Sequence, residues 1–404
     1  MNILFLCHRL PYPPKRGGKI RPFNMIRHLS RSHRVTVATV ARTRAEAAEG
    51  RALAEHCHEL HVAHIGSAMG WLRFAAHTAT PYPATFGYFY SAALARTVRG
   101  VLAHGEIDAI VVHCSAMGPY VAGHRGCRKI MDFGDADSEK WLEYGRSAPF
   151  PLSLGFRLEA SKVRRFERRL AEQFDACSVT APREREVLRE YVPGPIHVFP
   201  NGVDGEYFRP RRPSAAPLVP NRLIFTGNMS YRPNVEAVQD LVSGILPRVW
   251  AQRPDTELYI VGMDPAPAVR RLADGRRVIV TGRVDDIRPY FESAVAAMAP
   301  LRIARGLQNK VLEAMAMRVP VVASPQAFNG INATADRDLL VADGPEAFAR
   351  AALSLLEDPA RRERYAAAAR ACVETNHDWE RILRGFETLV VGSGERPMAT
   401  AGAA

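Results

Sequence analysis

The sequence predicts an α/β protein built from two doubly wound domains, for three reasons. Its 404 residues exceed what one ordinary hydrophobic core takes up and suit two domains. Short apolar, β-branched runs alternate with longer helical patterns, which is typical of βαβ units and a parallel sheet. The alternation stops at a loop with three prolines over 209–217 and then starts again.

Each strand is predicted from a short apolar run, and each helix from a longer amphipathic pattern. The first half contains strand patterns at 3–7, 35–40, 60–65, 109–113, 129–133, 176–180 and 197–199. The second half contains strand patterns at 223–226, 257–261, 278–281, 295–299, 319–323 and 339–341. Helical patterns include 19–30, 154–174, 345–357, 360–374 and 378–391.

We therefore predict two Rossmann-like domains, over residues 1–190 and 191–376. A helix over about 377–392 is expected to pack back on the first domain, and the Gly- and Ala-rich residues 393–404 are expected to be disordered. Ligands of open α/β sheets bind outside the carboxyl ends of the strands. The chemistry is therefore expected from the loops that follow strands in both domains.

Positive charge dominates the chain and is concentrated at its start. The net charge is +12, and residues 1–45 hold ten Lys and Arg residues and no acidic residue. Such a block attracts phosphate in a small ligand, a lipid surface or a nucleic acid, or is simply a solvated basic face. Nucleic acid is the weakest of these alternatives, because no binding motif accompanies the charge.

The pattern over 154–174 is the second indication of a membrane surface. Leu154, Leu158, Val163, Phe166, Leu170 and Phe174 approximate one apolar helical face, with basic residues around it. An interfacial helix has this pattern, and so does a helix packed on its own sheet. No run reaches the roughly 20 apolar residues of a membrane span, and the N-terminus has the pattern of a strand. We expect a cytoplasmic protein, with peripheral binding to the inner face of the cytoplasmic membrane as the further possibility.

The cysteines are not expected to carry chemistry. All six are scattered through the chain without a CxxC pair or a zinc-like spacing. We expect them to be buried small hydrophobic residues.

Two candidate ligand-binding features fall in the first half. Gly17 and Gly18 precede a helical pattern, where glycines let the backbone approach an anion at the helix N-terminus. An ordinary glycine turn is the alternative, and the missing GxGxxG disfavours an NAD site. His113 ends the fourth predicted strand, where a ligand would meet it, although a histidine in this position is more often structural.

Asp132, Asp135 and Asp137 form a cluster of carboxylates around the end of the fifth predicted strand. Hard oxygen ligands suit Mg²⁺, so a metal site is one interpretation. A helix cap by Ser138 or a contact between domains is favoured instead, and no metal site is predicted.

The segment 300–322 carries the densest set of candidate binding residues. A strand ends, Gly306 marks a loop, and a helix follows with Lys310 and Glu313 three residues apart on one face. Arg305, Lys310 and the N–H groups at the start of the helix suit a diphosphate leaving group. Glu313 is suited to accept two ribose hydroxyls, and an ion pair with Lys310 on the helix surface is the alternative.

These residues, in this order, resemble the retaining nucleotide-sugar glycosyltransferases of family 4. The most specific pieces are 200–204 (PNGVD) with 207–210 (YFRP), and 311–316 (VLEAMA) with 319–322 (VPVV). The similarity runs from Asn2 to about Val391. It implies the GT-B fold, in which two Rossmann-like domains face a cleft, with the donor bound by the second domain and the acceptor by the first.

The resemblance also implies roles for matched positions. Gly17 and Gly18 would lie beside the donor phosphates or the acceptor, His113 beside the transferred sugar, and Glu313 at the ribose. The further donor-binding candidates are Gly227, Asn228, Arg283, Gly306, Gln308 and Asn309. The candidates for acceptor binding or contact between the domains are Lys19, Asp135 and Asn201. His113, Arg305 and Lys310 are the catalytic candidates.

Two positions depart from the family pattern. Arg305 stands where the family usually has a Glu that contacts sugar hydroxyls, and Asn228 stands where an Arg for the diphosphate is common. Lys310, Arg305 and Arg283 are the expected replacements for that positive charge. The run 135–141 resembles glycosyltransferases of bacterial exosortase (PEP-CTERM) exopolysaccharide loci.

The function that the resemblance implies is hexosyl transfer with retention of anomeric configuration, in polysaccharide or lipid-linked glycan synthesis. The donor would be a UDP or GDP sugar and the acceptor a glycan or a lipid-linked glycan, with no metal and no further cofactor. A sugar-nucleotide 2-epimerase and a non-catalytic nucleotide-sugar binding protein are the alternatives.

Overall fold

A computed structural model describes residues 1–14, 17–211, 217–304 and 307–392 of the chain. These residues divide into two compact units, the first formed by Met1–Phe199 with the chain from Leu383 onward, and the second by Pro200–Ile382. The sequence placed the boundary after residue 190, but the first unit extends further. The reason is that strand Ile196–Val198 pairs with the first sheet as its edge strand. Residues 393–404, predicted to be disordered, lie outside the described part of the chain.

The first unit contains a parallel sheet of seven strands in the order β3-β2-β1-β4-β5-β6-β7. Its strands are β1 Asn2–Cys7, β2 Arg34–Ala41, β3 Glu59–His64, β4 Ala109–His113, β5 Arg128–Gly134, β6 Ala176–Val179 and β7 Ile196–Val198. Every strand that the sequence predicts in this half is present. The order reverses between β1 and β4, which places the loops after these two strands at the switch point of the sheet.

Helices connect these strands as crossovers. They are α1 Gly17–Leu29, α2 Arg44–Glu49, α3 Ser67–Thr78, α4 Ala84–Phe89, α5 Ala92–His104, α6 Asp137–Ser147, α7 Leu152–Ala171 and α8 Pro182–Arg189. Short 3₁₀ turns lie at Gly50–His56 and Ser115–Tyr120.

The second unit has a parallel sheet of six strands in the order β10-β9-β8-β11-β12-β13. Its strands are β8 Arg222–Thr226, β9 Glu257–Val261, β10 Val278–Gly282, β11 Ala296–Ala299, β12 Val321–Ala323 and β13 Leu340–Val341. Both sheets therefore confirm the doubly wound α/β prediction.

The helices of this unit pack on its sheet and continue to the end of the described chain. They are α9 Arg232–Asp240, α10 Leu246–Trp250, α11 Pro267–Arg270, α12 Arg288–Glu292, α13 Asn309–Ala316, α14 Pro325–Phe328, α15 Gly344–Glu357, α16 Pro359–Asn376 and α17 Trp379–Val391. A π-helical turn at Leu241–Ile245 joins α9 to α10. Helix α17 begins in the second unit and ends in the first.

Helix α7 corrects part of the membrane prediction. Of its expected apolar face, Val163 and Leu170 are buried, whereas Leu154 and Leu158 in the first two turns are exposed. Lys162, expected among the basic residues around that face, is buried and donates to the carbonyls of His77 and Thr78. Most of α7 is thus a packed helix. No helix in the described residues is long and apolar enough to cross a membrane.

The expected burial of the cysteines holds for four of the six, whereas Cys57 and Cys127 are half-buried. Four are buried: Cys7, Cys114, Cys177 and Cys372. Burial raises the pKa of Cys7 and Cys177 to about 12, and that of Cys57 and Cys372 to about 11. Burial also raises the pKa values of Cys114 and Cys127, so all six thiols stay protonated near neutral pH.

Candidate active site

The switch point of the first sheet carries a row of polar residues in register. His113 at the end of β4 pairs with Asp132 on β5, and Asp132 pairs with Ser178 on β6. Residues side by side on neighbouring strands point to the same face. Asp132 therefore accepts hydrogen bonds at 2.7 Å from both neighbours, His113 Nδ1 and Ser178 Oγ.

Arg21 on α1 completes this cluster from outside the sheet. Its Nε and one terminal nitrogen donate to the two carboxylate oxygens of Asp132 at 2.9 and 2.7 Å. Its other terminal nitrogen donates to the Phe199 carbonyl at 2.7 Å. Both charged side chains are buried, so Arg21 neutralises a carboxylate that water does not reach.

The charge on Asp132 is fixed by these partners. Burial acts to raise the pKa of Asp132, but the Arg21 guanidinium and the hydrogen bonds from Arg21 and His113 hold that pKa well below its ordinary range. An ionised carboxylate only accepts, so His113 donates from Nδ1. When the ring is neutral, Nε2 of His113 is left as an acceptor for a ligand hydroxyl.

His8 lies beside His113 and is a residue that the sequence did not single out. The two ring centroids are 5.8 Å apart, and His8 packs edge-on against Phe89. Burial, followed by the neighbouring His113, lowers the pKa of His8 well below its ordinary value. Its Nδ1 is a buried atom without a hydrogen-bond partner among the residues described here. The switch point thus holds two imidazoles side by side, one oriented by a carboxylate.

The three clustered aspartates separate into different contacts. Asp132 serves Arg21 and His113 as above, Asp135 accepts from Thr180 Oγ1 at 2.7 Å, and Asp137 accepts from Ser115 Oγ at 3.1 Å. Within the described ranges no group of three or more His, Cys, Asp or Glu residues is arranged to hold a metal ion.

The predicted cap by Ser138 is wrong. Helix α6 has its N-cap at Ala136, without a side-chain cap. The Ser138 hydroxyl is buried and lies 2.8 Å from the hydroxyl of Tyr191, which also donates to Glu167. Ser138 is therefore held by Tyr191, which follows α8 and is itself bonded to Glu167 of α7.

Gly17 and Gly18, expected to precede the helix that starts at residue 19, are instead the first residues of α1. A Cβ atom on Gly18 would meet nothing within 4 Å, so this position is open. The ammonium of Lys19 lies 3.0 Å from the carboxylate of Glu46. Lys19 is therefore part of a local ion pair in this structure.

In the second unit, two glycines let the ends of β8 and β9 approach closely. A Cβ atom on Gly262 would lie 1.7 Å from the carbonyl oxygen of Gly227. A Cβ atom on Gly227 would lie 2.7 Å from Asn234 Nδ2 and 3.1 Å from Lys310 Nζ. Both glycines have positive φ, at 152° and 153°. Glycine is required here because backbone and side chains from three elements meet without room for a methyl group.

Asn234 on α9 holds this loop and Lys310 together. Its Oδ1 accepts a hydrogen bond from Lys310 Nζ, and its Nδ2 donates to the Asn228 carbonyl at 2.9 Å. Asn228 in turn accepts from the amide and the hydroxyl of Ser230, which closes the loop after β8. The Lys310 ammonium also lies 4.4 Å from the centre of the Phe225 ring. Lys310 is thus held by an amide and an aromatic face.

Lys310 and Glu313, on the first two turns of α13, have opposite pKa shifts. Burial lowers the pKa of Lys310 to about 7, and Glu313 opposes that shift. Burial raises the pKa of Glu313 to about 7, and Lys310 opposes that shift. Part of each side chain stays open to solvent, so a ligand can reach both. Burial without a full counter-charge makes this a place where an anionic ligand would be stabilised.

The remaining candidates of the second unit lie around α13 or at strand ends. Gln308 is the N-cap residue of α13, and Asn309 is its first residue. The Oδ1 atom of Asn309 is buried and has no partner among the described residues. Arg283 directly follows β10. Arg305 and Gly306, predicted to bind the diphosphate, lie outside the described residues.

Asn201 belongs to a tightly packed turn. His377 is buried, its Nδ1 lies 3.2 Å from the Asn201 carbonyl oxygen, and its own carbonyl accepts from Val203 N. A Cβ atom on Gly202 would lie 2.8 Å from the His377 carbonyl and from the Trp379 ring. The sequence motif at 200–204 is therefore explained by backbone packing against the segment before α17.

The sequence analysis missed Arg21, Asn234 and His8 as members of these clusters. A charge inside the buried strand β5 was the available signal for Asp132, since a buried carboxylate needs a cationic partner. No local signal identified Arg21 as that partner, because 111 positions separate the two residues. Asn234 has the pattern of an ordinary residue in a first helical turn.

Two family models match the sequence of this chain, and both describe glycosyltransferases. Residues 16–207 match the family described as Glycosyltransferase Family 4, and residues 220–358 match the family described as Glycosyl transferases group 1. The two matches fall largely on the first and second unit. The chain belongs to the family 4 glycosyltransferases.

Relatives of known name are similar over part of their length. The chain is 32% identical over 200 residues to the GDP-mannose-dependent monoacylated alpha-(1-6)-phosphatidylinositol monomannoside mannosyltransferase of Corynebacterium glutamicum, covering 45% of this chain and 52% of that one. It is 33% identical over 215 residues to the phosphatidyl-myo-inositol mannosyltransferase of Mycobacterium tuberculosis, covering 49% and 55%. The chain thus spans about half the length of the curated relatives it matches.

Solved structures match nearly the whole chain. Sucrose-phosphate synthase from Thermosynechococcus elongatus has a TM-score of 0.69 and 18% identity, covering 96% of this chain and 98% of that one. The Anabaena protein HepE, solved in complex with UDP-glucose, has a TM-score of 0.67 and 14% identity, covering 96% and 99%. At these identities the matches show the fold alone. Two Rossmann-like units of this kind make up the GT-B fold.

We expect Asp132→Asn to destabilise the protein by about 3 kcal/mol, because it leaves the Arg21 charge buried without its carboxylate. Urea unfolding at neutral pH measures this difference. The lowered pKa of Asp132 means that the wild type keeps this stability above the ordinary carboxyl pKa of about 4 and loses it as the pH falls further. The difference should therefore be constant from about pH 5 to 8 and shrink in acid. Asp135→Asn is the control and should cost about 1 kcal/mol or less.

We expect Asn234→Asp to raise the pKa of Lys310 by more than one unit, because a carboxylate then faces the ammonium where an amide oxygen stood. A titration of ¹³C-methylated lysine followed by NMR measures the shift. Asn221→Asp, on the far end of the same unit, should leave the Lys310 titration unchanged. An unaltered titration in Asn234→Asp would contradict the contact between Asn234 and Lys310.

Proposed function

We propose that this chain transfers a hexosyl group from a nucleotide-diphosphate sugar to a glycan or lipid-linked glycan, with retention of anomeric configuration. The observation that carries the proposal is the cluster at the start of α13, where the ammonium of a partly buried lysine contacts an amide oxygen and an aromatic ring, and a carboxylate follows one turn later. Family membership supplies the class of reaction, and this cluster supplies a place for the donor.

The diphosphate of the donor would lie at the start of α13. The Lys310 ammonium and the N–H groups at that helix terminus would stabilise the negative charge that grows on the leaving group. Gly227 supports this role, since its missing side chain leaves the backbone and Lys310 Nζ open to an approaching phosphate. In this proposal positive side chains, with Arg283 and Arg305 as further candidates, do the work that a metal ion does in other enzymes.

Glu313 would bind the ribose of the donor. Its carboxylate lies one turn along α13 from Lys310, and two hydroxyl groups can donate to its two oxygens. An ionised Glu313 is needed for both hydrogen bonds, and the positive charge of Lys310 favours that form. Lys310 would thus bind the diphosphate of the donor, and Glu313 would bind its ribose.

His113 would contact the transferred sugar or the acceptor. Its Nδ1 is committed to Asp132, which leaves Nε2 to accept from a sugar hydroxyl. His8, packed against it, would form the neighbouring wall. The buried charges of Asp132 and Arg21 keep the imidazole in one orientation, which favours a positioning contact.

The named relatives indicate which donors and acceptors to test. The Corynebacterium relative is named for GDP-mannose and a phosphatidylinositol mannoside, and the Anabaena structure holds UDP-glucose. We therefore propose a UDP or GDP hexose as donor and a lipid-linked glycan as acceptor, used at the cytoplasmic side of the membrane. A role in the exopolysaccharide synthesis encoded by exosortase-associated loci stays a prediction, which is based on residues 135–141.

The 2-epimerase alternative needs carboxylates free for proton transfer at the sugar carbon. The three aspartates near the end of β5 already have hydrogen-bond donors. Asp132 is bonded to Arg21, Asp135 to Thr180 and Asp137 to Ser115. Glu313 remains as a carboxylate with a raised pKa. Incubation of UDP-N-acetylhexosamine in D₂O separates the two functions, because only an epimerase exchanges the proton at C2.

The direct test of the proposed function has two steps. A thermal-shift panel of nucleoside diphosphates and their hexose conjugates identifies the donor, since a bound ligand raises the apparent stability. The best donor is then incubated with lipid-linked glycans, and NMR gives the anomeric configuration of the product. A product of inverted configuration would contradict retention, and turnover that EDTA abolishes would contradict a metal-free reaction.

We expect Lys310→Ala to lower turnover by about a hundredfold or more, because a well-placed donor to a leaving group contributes about 3–4 kcal/mol. Single-turnover assays with saturating donor measure the effect. Arg302→Ala is the matched control, since Arg302 lies near the same helix but pairs with Asp240 on α9, and should change turnover less than threefold. Near-normal turnover in Lys310→Ala would remove this lysine from the mechanism.

We expect donor affinity to be highest near pH 7 and to fall on both sides. Above about 7 the free lysine loses its proton, so binding of the diphosphate has to restore that proton and weakens. Below about 7 the free Glu313 carboxyl is protonated and loses one acceptor for the ribose. Isothermal titration at several pH values measures this profile. Lys310→Met should flatten the alkaline limb, and Glu313→Gln the acidic limb.

A further inference from the structure

The first unit carries an exposed apolar surface that the proposed reaction does not use. On α3, the exposed fractions of Met69, Trp71 and Leu72 are 50%, 60% and 63%. Exposed tryptophans and leucines are seldom grouped in this way on a protein without a partner. The surface is therefore a candidate for an interaction.

The surface continues over α6 and the start of α7. Phe150, in the connection between these helices, is 82% exposed. Tyr144 of α6 and Leu152, Leu154 and Leu158 of α7 are exposed as well. We call these eight residues, three on α3 and five on α6, α7 and their connection, the apolar patch.

Ring contacts join the two parts of the apolar patch. Trp71 packs on Phe74 with centroids 5.4 Å apart, and Phe74 lies 6.4 Å from Trp141 of α6. Trp141 contacts Tyr144 at 5.9 Å and Phe156 of α7 at 5.7 Å. A continuous aromatic layer thus lies beneath the exposed residues, so the patch is one surface rather than scattered side chains.

Buried polar contacts hold α3 in this position. The ammonium of Lys162 on α7 donates to the last carbonyls of α3, those of His77 and Thr78. Glu159, also on α7 and buried, accepts from the amides of Ala84 and Thr85 at the start of α4. The last carbonyls of α3 and the first amides of α4 therefore have hydrogen-bond partners inside the protein. Since α3 is held in this way, its exposed apolar face is an ordered part of the surface.

The charges around the apolar patch have one dominant sign. The chain has no acidic residue from Leu60 to Gly105, a segment that includes all of α3. Arg146 of α6 and Arg157 of α7 are exposed next to the patch, and the stem of Arg157 packs against Gly145. The acidic residues of α7 are Glu159 and Glu167, and both are buried. Glu139 and Glu143 of α6 are half-buried.

From these observations we infer that the apolar patch docks this protein on the surface of an anionic membrane. Trp and Tyr beside Leu and Phe, with arginines at the edge, are the composition that inserts into the headgroup region of a bilayer. The arginines add attraction to anionic lipid, and the acid-free segment removes repulsion. A protein partner would need a complementary surface of fixed shape, whereas a bilayer needs only exposed apolar side chains with basic residues at their edge.

This inference revises the membrane-binding segments expected from the sequence, because it keeps only Leu154 and Leu158 of the expected α7 face and leaves out the basic N-terminal block. Much of the apolar face of α7 is buried, and basic residues near the N-terminus have local partners, as Arg21 has in Asp132 and Lys19 in Glu46. The inference goes beyond the proposed function, because it concerns a surface that contains none of the residues assigned to donor binding. It also gives a reason for a lipid-linked acceptor.

The test measures binding of the full chain to phosphatidylcholine vesicles with and without 30% phosphatidylglycerol in a flotation assay. The wild type is expected to float with the anionic vesicles at low salt, and less at high salt. Trp71→Ser/Leu72→Ser is expected to weaken binding at least tenfold, because it removes inserted apolar area. Arg146→Ala and Arg157→Ala are each expected to weaken it by about fivefold, with less effect at high salt.

Leu218→Ser is the matched control, since Leu218 is an exposed apolar residue of the second unit at 44% exposure, and should float like the wild type. Binding of nucleoside diphosphate, measured in parallel, should be equal in all variants, which separates this inference from the proposed function. Wild-type protein that stays with the buffer at low salt would overturn the inference. So would a Trp71→Ser/Leu72→Ser variant that floats normally but changes the oligomeric mass, since the patch would then join copies of the chain.

Discussion

A charge removed from water needs a partner, and the first unit is organised around one such case. Asp132 is fully buried in the middle of the sheet and is ionised because Arg21 reaches it from α1 with two hydrogen bonds. This contact joins the first helix to the central strands and, through the Phe199 carbonyl, to the end of the unit. It also sets which nitrogen of His113 carries the proton. Folding and the orientation of a candidate site residue thus depend on the same ion pair.

The second unit also holds a buried charge, that of Lys310, but no carboxylate among the described residues is hydrogen-bonded to it. Lys310 has an amide oxygen and an aromatic ring as its neighbours, and its pKa falls because the effect of burial outweighs the opposing charge of Glu313. The protein keeps a costly cation where a diphosphate would supply the missing negative charge. In the first unit a paired charge fixes the position of its neighbours. In the proposed function, the cation of the second unit, which has no carboxylate bonded to it among the described residues, would instead contribute affinity for the donor.

The fold was largely predictable from the sequence because the strands are short apolar runs, and the central ones are buried on both faces. All strands of both sheets followed from that pattern, including the three-residue edge strand β7. The domain boundary was placed too early, because pairing of β7 with β6 is a contact that no local pattern reports. Helix α7 was ambiguous for a related reason: a packed helix and an interfacial helix share one periodicity, and only the neighbours decide.

The candidate site was predictable where its residues lie together in the sequence. Lys310 and Glu313 stand on one helix, and their spacing alone placed them on one face. Arg21 and Asn234 were missed because each acts on a residue far away in the chain. The role of Ser138 was mistaken because α6 begins one residue before it, so its hydroxyl contacts Tyr191 and does not cap the helix. Local chemistry was predictable, and long-range partners were not.

The protonated state of the six cysteines has a practical consequence. Thiol-reactive probes attack the thiolate, and the native thiols, with pKa values raised by burial, supply almost none near neutral pH. A single new cysteine on an exposed position such as Ala75 of α3 would therefore be labelled selectively, without first removing the native ones. A solvent-sensitive fluorophore there would report the polarity around that helix directly. The low reactivity of the native thiols thus allows single-site fluorescent labelling of the protein surface.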